Sequence, residues 1–222
     1  MHIFYNIGIL ILAYLVGSIP TSVWIGKSLF GIDVREHGSR NAGATNAIRV
    51  LGWKAGLTVL FVDMFKGWLA VNLIHLTNYY IPETGDFIEF QLLLGIAAIM
   101  GHIFPVYVGF RGGKGVATLF GLVLAINPEP TLLCIGVFMI TLLITKYVSL
   151  SSMIAAFAFP VLVIFVFKTT TPSLVIFSLI ISVLLLFTHQ KNLERLLRKE
   201  EKKVLFLMSK RRREIERLKQ SA

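Results

Sequence analysis

Residues 3–25 read IFYNIGILILAYLVGSIPTSVWI, a run without one charged side chain. An α-helix needs about 20 predominantly apolar residues to cross a roughly 30 Å hydrocarbon core, and this run supplies them. It lacks the basic flank and short apolar centre of a cleaved signal, so despite Ala13 and Gly17 it reads as a retained transmembrane helix. Further apolar runs follow at 52–76, 90–108, 116–126, 131–145, 152–167 and 173–188, each bounded by charges, Pro, Gly or Asn. The run 116–126 is about half the length a span requires, so it and the next run form either two spans or a re-entrant hairpin. The fold class expected is all-α: a polytopic integral membrane helix bundle of seven transmembrane helices, or of five plus a re-entrant hairpin.

Composition agrees. Of 222 residues, 55% are hydrophobic and only 15% charged, with a mean hydropathy of +0.75. Soluble domains carry about 25% charged residues, which argues against a soluble globular enzyme, and disorder needs the opposite balance. Cys134, the single cysteine, sits in an apolar run, cannot form an intramolecular disulfide and has no neighbours at metal-ligand spacing. It reads as a small buried hydrophobe.

The net charge of +10 is concentrated after residue 188, so whole-chain basicity says little about the helical part. Its distribution along the loops says more. Lys27, Arg35, Arg40, Arg49 and Lys54 follow the first span, Arg111 and Lys114 the third, and Lys146 the fifth. The alternate connections hold Glu83, Asp86, Glu89, Glu129 and Lys168. By the positive-inside rule the N-terminus lies outside and the C-terminus in the cytoplasm, with the polar segments 31–49, 101–118, 146–152 and 189 onward on the cytoplasmic face. Removing two consecutive spans does not alter this assignment.

The polar segments carry the chemistry. Residues 31–49 read GIDVREHGSRNAGATNAIR, in which small residues, hydroxyls, amides and spaced arginines let backbone N–H groups and side chains converge on an oxyanion. The bland alternative is a polar loop with an N-cap at Ser39 or Thr45. Residues 110–118 read FRGGKGVAT and run into an apolar helix. Glycines permit close approach and positive φ, and a helix N-terminus offers unpaired N–H groups to a phosphate, with Lys114 as a point charge. Gly115 follows the lysine where a Walker A sequence has Ser or Thr, which argues against ATP hydrolysis. Asp63 and Lys66 share a face of the second span, where unpaired charges are costly; they read as a structural ion pair bordering the site. Ser149, Ser151 and Ser152 sit where a span begins, one as an N-cap and Ser149 as a substrate contact. His189, Asn192 and Arg195 recur at i, i+3 and i+6, roughly one side of a helix. A histidine there can take a proton from an attacking hydroxyl or serve as a helix cap or interfacial anchor. No cluster has metal-site spacing, so no metal and no cofactor are expected.

At these residues the sequence resembles the bacterial acyl-phosphate:glycerol-3-phosphate acyltransferase family, over nearly the whole chain. The resemblance rests on Gly31, Asp33, Arg35, Gly38-Ser39, Asn41, Gly43-Ala44-Thr45-Asn46 and Arg49; on Gly101-His102, Phe104-Pro105 and Gly112 to Thr118; on Asp63, Lys66 and Gly67; and on Ser149, Ser152, His189, Asn192, Arg195, Leu196, Glu201 and Lys203. Two departures stand out: Lys199 occupies a position where the family usually has glycine, and the basic tail runs past the usual end.

The resemblance implies transfer of a fatty acyl group from acyl phosphate to the 1-hydroxyl of glycerol 3-phosphate, giving lysophosphatidic acid and phosphate, the first step of phospholipid synthesis. It implies His189, Ser149 and Lys114 as catalytic candidates. Substrate-binding candidates are Arg35, Ser39, Asn41, Thr45, Asn46, Arg49, Gly112, Gly113, Gly115 and Asn192, with Asp63, Lys66 and Glu201 bordering the site. Two phosphates need two cationic cradles, and either could occupy the glycine loop. The proton goes to His189 or, preferably, to the acyl phosphate's own phosphate oxygen, because no carboxylate is placed to orient the imidazole. The expected partners are the two substrates and membrane lipid; an acyl carrier protein is compatible but not required, and no nucleic acid is expected. The location implied is the bacterial cytoplasmic membrane. Residues 1–190 then form the transmembrane catalytic domain and 191–222 a basic cytoplasmic tail. Its apolar residues from Leu193 to Leu218 recur near helical spacing, as either an amphipathic helix on anionic headgroups or a solvated charged helix. The rival class, a transporter or channel for a phosphorylated anion, needs access from both faces, whereas the candidate ligands collect on one.

Overall fold

The structure, a computed structural model, describes residues 2–204. Among these there is no strand, and ten α-helices follow one another: α1 (His2–Gly17), α2 (Thr21–Phe30), α3 (Ala44–Leu51), α4 (Trp53–Asn72), α5 (Gly85–Ile103), α6 (Val116–Ile126), α7 (Pro128–Thr145), α8 (Val148–Val161), α9 (Pro172–Thr188) and α10 (Gln190–Leu197). The chain divides into two compact units, 2–131 with 169–177, and 132–168 with 178–204.

Four helical stretches are long and apolar enough to cross a membrane: Trp53–Leu76, Gly85–Val108, Pro128–Thr145 and Val148–Val166. Two bent pairs, α1 with α2 and α9 with α10, bring the number to six if each is one span. The helix α6 remains an 11-residue segment, about 16 Å long. The neighbouring α7 starts at Pro128 rather than 131, and its 18 residues reach about 27 Å, enough for a span without a hairpin partner.

The opening run does not form one helix. It breaks at Ser18-Ile19-Pro20, and α1 and α2 meet at 43°. Proline lacks an N–H and drives the preceding residue out of helical conformation, which here leaves the Ile19 carbonyl outside the helical ladder, where the Lys66 ammonium takes it at 2.8 Å.

In the first unit, helices approach closely at small residues, the usual device where lipid removes the hydrophobic drive for helix association. Gly67 of α4 faces the backbone of Thr118 on α6, and Gly121 of α6 faces the backbone of Met64 on α4. The α1–α5 crossing repeats the pattern, with Gly17 against Ala98 and Gly101 against Tyr14. A side chain at any of these four positions would occupy space held by the opposite backbone. Around these crossings, Ile9, Ala13, Ala70, Ile74, Phe87, Phe90, Leu94 and Ala98 form one apolar core. A second, of Val23, Val34, Ala42, Ala47, Leu51 and Val59, anchors the 31–43 loop from beneath.

In the second unit, α8 carries Pro160 and widens into a π-helical turn at Leu162–Val166. The sharp break between α9 and α10, 59° at His189, places that histidine at the N-cap of α10. After Leu197 the chain turns through Lys199 at φ +59° and returns to the start of α8, where the Val204 N–H donates to the Lys146 carbonyl at 2.9 Å. A single helix over the apolar positions from Leu193 to Leu218 is therefore not formed; the rest of that tail, 205–222, lies outside the described residues.

Candidate active site

The first unit holds three of the sequence-predicted elements. Two amide side chains show how the 31–49 loop is built. Asn46 is 1% exposed; its Nδ2 donates to the carbonyls of Val34 and His37, and its Oδ1 accepts the Ser39 N–H at 2.8 Å. Both of its N–H donors and its amide oxygen thus bond the loop's own backbone, so in this structure Asn46 shapes the loop. Arg35 is likewise engaged by the protein itself. Its Nε and Nη2 grip Asp33 at 3.0 and 2.7 Å, while Nη1 donates to the carbonyls of Val108 and Arg111. It ties the 31–49 loop to the glycine loop. The Arg35 guanidinium holds the Asp33 carboxyl far below the usual carboxylate range, against a smaller opposing effect of burial.

Ser39, Thr45 and Arg49 are exposed, as are Glu36, His37 and Arg40 of the same segment, and Asn41 is half-buried. Thr45 and Arg49 lie one turn apart on α3 and share its outer face. Neither Ser39 nor Thr45 caps a helix; Gly43 is the N-cap of α3, without a side-chain bond.

The glycine loop is tightly folded against the end of α5. The Gly112 N–H donates to the Ile103 carbonyl at 3.1 Å, Gly113 N–H to the His102 carbonyl at 3.2 Å and Phe110 N–H to the Pro105 carbonyl at 2.9 Å. Gly112 and Gly113 are required by space, since a Cβ would meet the His102 carbonyl at the first and the His102 ring at the second. Gly115 is required by conformation: it sits at φ +81° as the N-cap of α6 with no side-chain cap. The first N–H groups of α6 are thereby left without the capping oxygen a Ser or Asp would supply, and half-buried Lys114 precedes them.

Beneath this turn lies a buried polar cluster. The Lys66 Nζ and Asp63 Oδ1 are 2.9 Å apart, with both side chains at most 4% exposed. Thr21 donates to Asp63 Oδ1 at 3.0 Å. The His102 Nδ1 lies 3.0 Å from the Thr118 hydroxyl and 3.9 Å from Asp63. Sequence reasoning placed Asp63 and Lys66 together but assigned no role to Thr21, His102 or Thr118. Pro20 in mid-span, with a threonine beside it, was the available signal.

The second unit gathers Ser149, Asn192 and Arg195 on one carboxylate. Glu201 Oε1 accepts from Ser149 Oγ at 2.7 Å and Asn192 Nδ2 at 2.6 Å, and Oε2 accepts from Arg195 Nε at 2.7 Å. Burial alone would push the Glu201 carboxyl up, but these three donors outweigh it and hold it below its ordinary value. None of the three serines is an N-cap: Tyr147 caps α8 without a side chain, and Ser151 and Ser152 donate to the carbonyls of Tyr147 and Val148. His189 is 2% exposed, and its Nδ1 lies 2.8 Å from the Leu185 carbonyl. Only a protonated nitrogen can bond a carbonyl oxygen, so in the neutral ring the lone pair is on Nε2. The orienting partner that the sequence did not reveal is thus a backbone carbonyl.

The 31–49 loop, the helix-capping glycine turn, and Ser149, His189, Asn192 and Arg195 all fall within 7–199, the residues matched by the family model described as glycerol-3-phosphate acyltransferase, and Glu201 lies just beyond it. The chain belongs to the glycerol-3-phosphate acyltransferase family. Similar relatives of that name occur in Chlorobium chlorochromatii (strain CaD3), 39% identical over 90% of this chain and 97% of its own length, and in Chlorobium limicola (strain DSM 245 / NBRC 103803 / 6330), 40% identical with the same coverage. Two crystal structures of PlsY (YgiH), an integral membrane glycerol 3-phosphate acyltransferase, are also similar. The glycerol 3-phosphate form is 33% identical with a TM-score of 0.80, covering 90% of this chain and 96% of that one. The lysophosphatidic acid form is 32% identical with a TM-score of 0.77, covering 90% and 95%. Like that neighbour, this acyltransferase-family chain is an integral membrane protein of several apolar helices.

Proposed function

We propose that this protein transfers a fatty acyl group from acyl phosphate to the 1-hydroxyl of glycerol 3-phosphate. The observation that carries the reading is the Gly112–Gly115 turn, which delivers the uncapped N-terminus of α6 and Lys114 to one place. That combination suits a phosphate dianion, and both substrates carry one. Ser39, Asn41, Thr45 and Arg49 supply further donors from the 31–49 segment.

Acyl phosphate is a mixed anhydride, already activated, so catalysis reduces to positioning the hydroxyl and stabilising the charge that gathers on the carbonyl and phosphate oxygens. The glycerol oxygen bonds to the acyl carbon, the acyl carbon to phosphate oxygen bond breaks, and the hydroxyl proton departs with the phosphate. His189 orients the hydroxyl through Nε2, and Ser149, whose proton is given to Glu201, offers its oxygen as an acceptor; Asn192 completes the set. The Leu185 carbonyl fixes the imidazole, and charging a ring at a buried position is costly, whereas the departing phosphate already carries anionic oxygens. The phosphate oxygen of the donor is therefore the better final home for the proton, and catalysis is substrate-assisted. The apolar helices accommodate the acyl chain, and the cationic segments face the cytoplasm of a bacterial inner membrane.

The test is phosphate release by the purified protein given palmitoyl phosphate, with and without glycerol 3-phosphate. Release should require glycerol 3-phosphate, yield lysophosphatidic acid and fall by at least about a hundredfold in Lys114→Ala. Activity with palmitoyl-CoA and none with palmitoyl phosphate would overturn the donor assignment. A drop of about 10⁴ in kcat for His189→Ala with substrate binding intact would return the proton to His189.

A further inference from the structure

The glycine turn rests on a buried assembly that acyl transfer, as described, does not use. Two successive N–H groups of the turn, those of Gly112 and Gly113, are held by the carbonyls of Ile103 and His102. The imidazole of His102 lies directly under Gly113, close enough that an added Cβ would overlap its Nε2. The ring, 6% exposed, is held from its other nitrogen by Thr118, in the first turn of α6. When Thr118 donates to Nδ1, the ring proton sits on Nε2, the nitrogen turned toward the glycine. Behind the ring stand Asp63 and Lys66, locked by Thr21 and by the Ile19 carbonyl freed at the Pro20 break. One residue therefore touches both halves of the cradle: the turn through its backbone and ring, and the start of α6 through Thr118.

The partly open hollow among whose lining residues are Thr21, Asp63, Lys66, His102, Gly112 and Gly113 has a volume of about 10 Å³. That is room for one water and not for a phosphate group. Lys66 and Asp63 are paired with one another, with Thr21 and with the Ile19 carbonyl, and so back the turn from behind.

We propose that His102, fixed by Thr118 and backed by the Asp63–Lys66 pair, is a positioning residue that sets the place of the Gly112–Gly113 turn relative to the N-terminus of α6. This rests on the reading of that turn as a phosphate cradle. The donors offered to an anion are the first N–H groups of α6, which the turn leads into and which bond only over a few tenths of an ångström in distance, so a turn that sinks into the space left by the ring shifts them and loses affinity for phosphate. Chemistry on a substrate once bound is little affected.

The experiment is steady-state kinetics on the full chain in lipid nanodiscs, each substrate varied in turn, for His102→Asn, Thr118→Val, Gly113→Ala, Gly113→Ala with His102→Asn, and Lys114→Ala. His102→Asn should raise the KM of one phosphate-bearing substrate by about tenfold while kcat changes by less than about threefold. Thr118→Val, nearly isosteric, should raise the same KM by about threefold. Because the smaller asparagine makes room for a Cβ, the KM increases of Gly113→Ala and His102→Asn should be far less than multiplicative in the double variant. General destabilisation would lower the active fraction, and so the apparent kcat, without moving KM.

Unchanged KM values in both His102→Asn and Thr118→Val, or strict multiplicativity in the double variant, overturn the proposal. If His102→Asn does not fold, Thr118→Val decides alone. Lys114→Ala separates this failure from that of the underlying reading: if Lys114→Ala raises a KM and the His102 variants do not, the cradle stands and His102 is not its support. If Lys114→Ala alters neither constant, the cradle reading falls and the proposal with it.

Discussion

Lys199 illustrates how one residue can be legible and still surprising. It stands where the resembling family usually has glycine, and its backbone adopts φ +59° at the turn after α10. A β-carbon in that conformation costs roughly 1–2 kcal/mol, and the turn persists because the Glu200 and Glu201 N–H groups close on the Arg195 carbonyl at 2.8 and 3.2 Å. Lys199→Gly should therefore stabilise the protein by about 1 kcal/mol, visible as a higher thermal midpoint in detergent. Asp33 and Glu201 are both held below their ordinary carboxylate values by their partners. A carboxylate depressed in the folded state contributes stability that is present above its unfolded value and lost only as pH falls through the folded one. The 31–49 loop and the Glu201 cluster should stay protected from hydrogen exchange between pH 8 and about pH 5 and lose protection in acid. Asp33→Asn and Glu201→Gln should each lose that acid transition and about 1.5–3 kcal/mol at pH 7. Arg35 and Asn46 make one point: a donor-rich side chain looks like a ligand in sequence, and only the structure shows that most of its donors bond the protein itself.

At the scale of elements, the apolar runs were readable and their breaks were not. Hydropathy sees composition, so residues 3–25 read as one span although Gly17, Ser18 and Pro20 stand together in it. The break matters because it frees the carbonyl that satisfies Lys66, something no one-dimensional pattern contains. The α4–α6 crossing is similar. The sequence displays Gly67 and Gly121, but their reciprocal approach to Thr118 and Met64 is a property of the pair. Gly67→Ala should force the two helices apart and destabilise by about 1–3 kcal/mol, with Gly121→Ala close behind. Gly8, with open space around its α-carbon, should accept alanine with no loss in the same thermal-unfolding measurement.

Over the whole molecule, the distribution of lysine and arginine sets the expected orientation. In a background with Cys134→Ser, a single cysteine at Arg40 should react with a membrane-impermeant maleimide only in inverted vesicles, and one at Glu83 only in intact cells. Labelling of both from the same side would refute the sidedness, and with it the cytoplasmic site. What the sequence by itself determined is the helical membrane class, the family, and the motifs that belong together, because these depend on composition, periodicity and residue type along the chain. The tertiary structure decided which donors bond the 31–49 loop's own backbone, that His189 is oriented by a carbonyl of the preceding helix α9, and that a buried histidine lies beneath the glycine turn. Those outcomes depend on which backbone groups the helix breaks leave unpaired and which side chains reach them, and such pairings exist only once distant segments of the chain have been brought into contact.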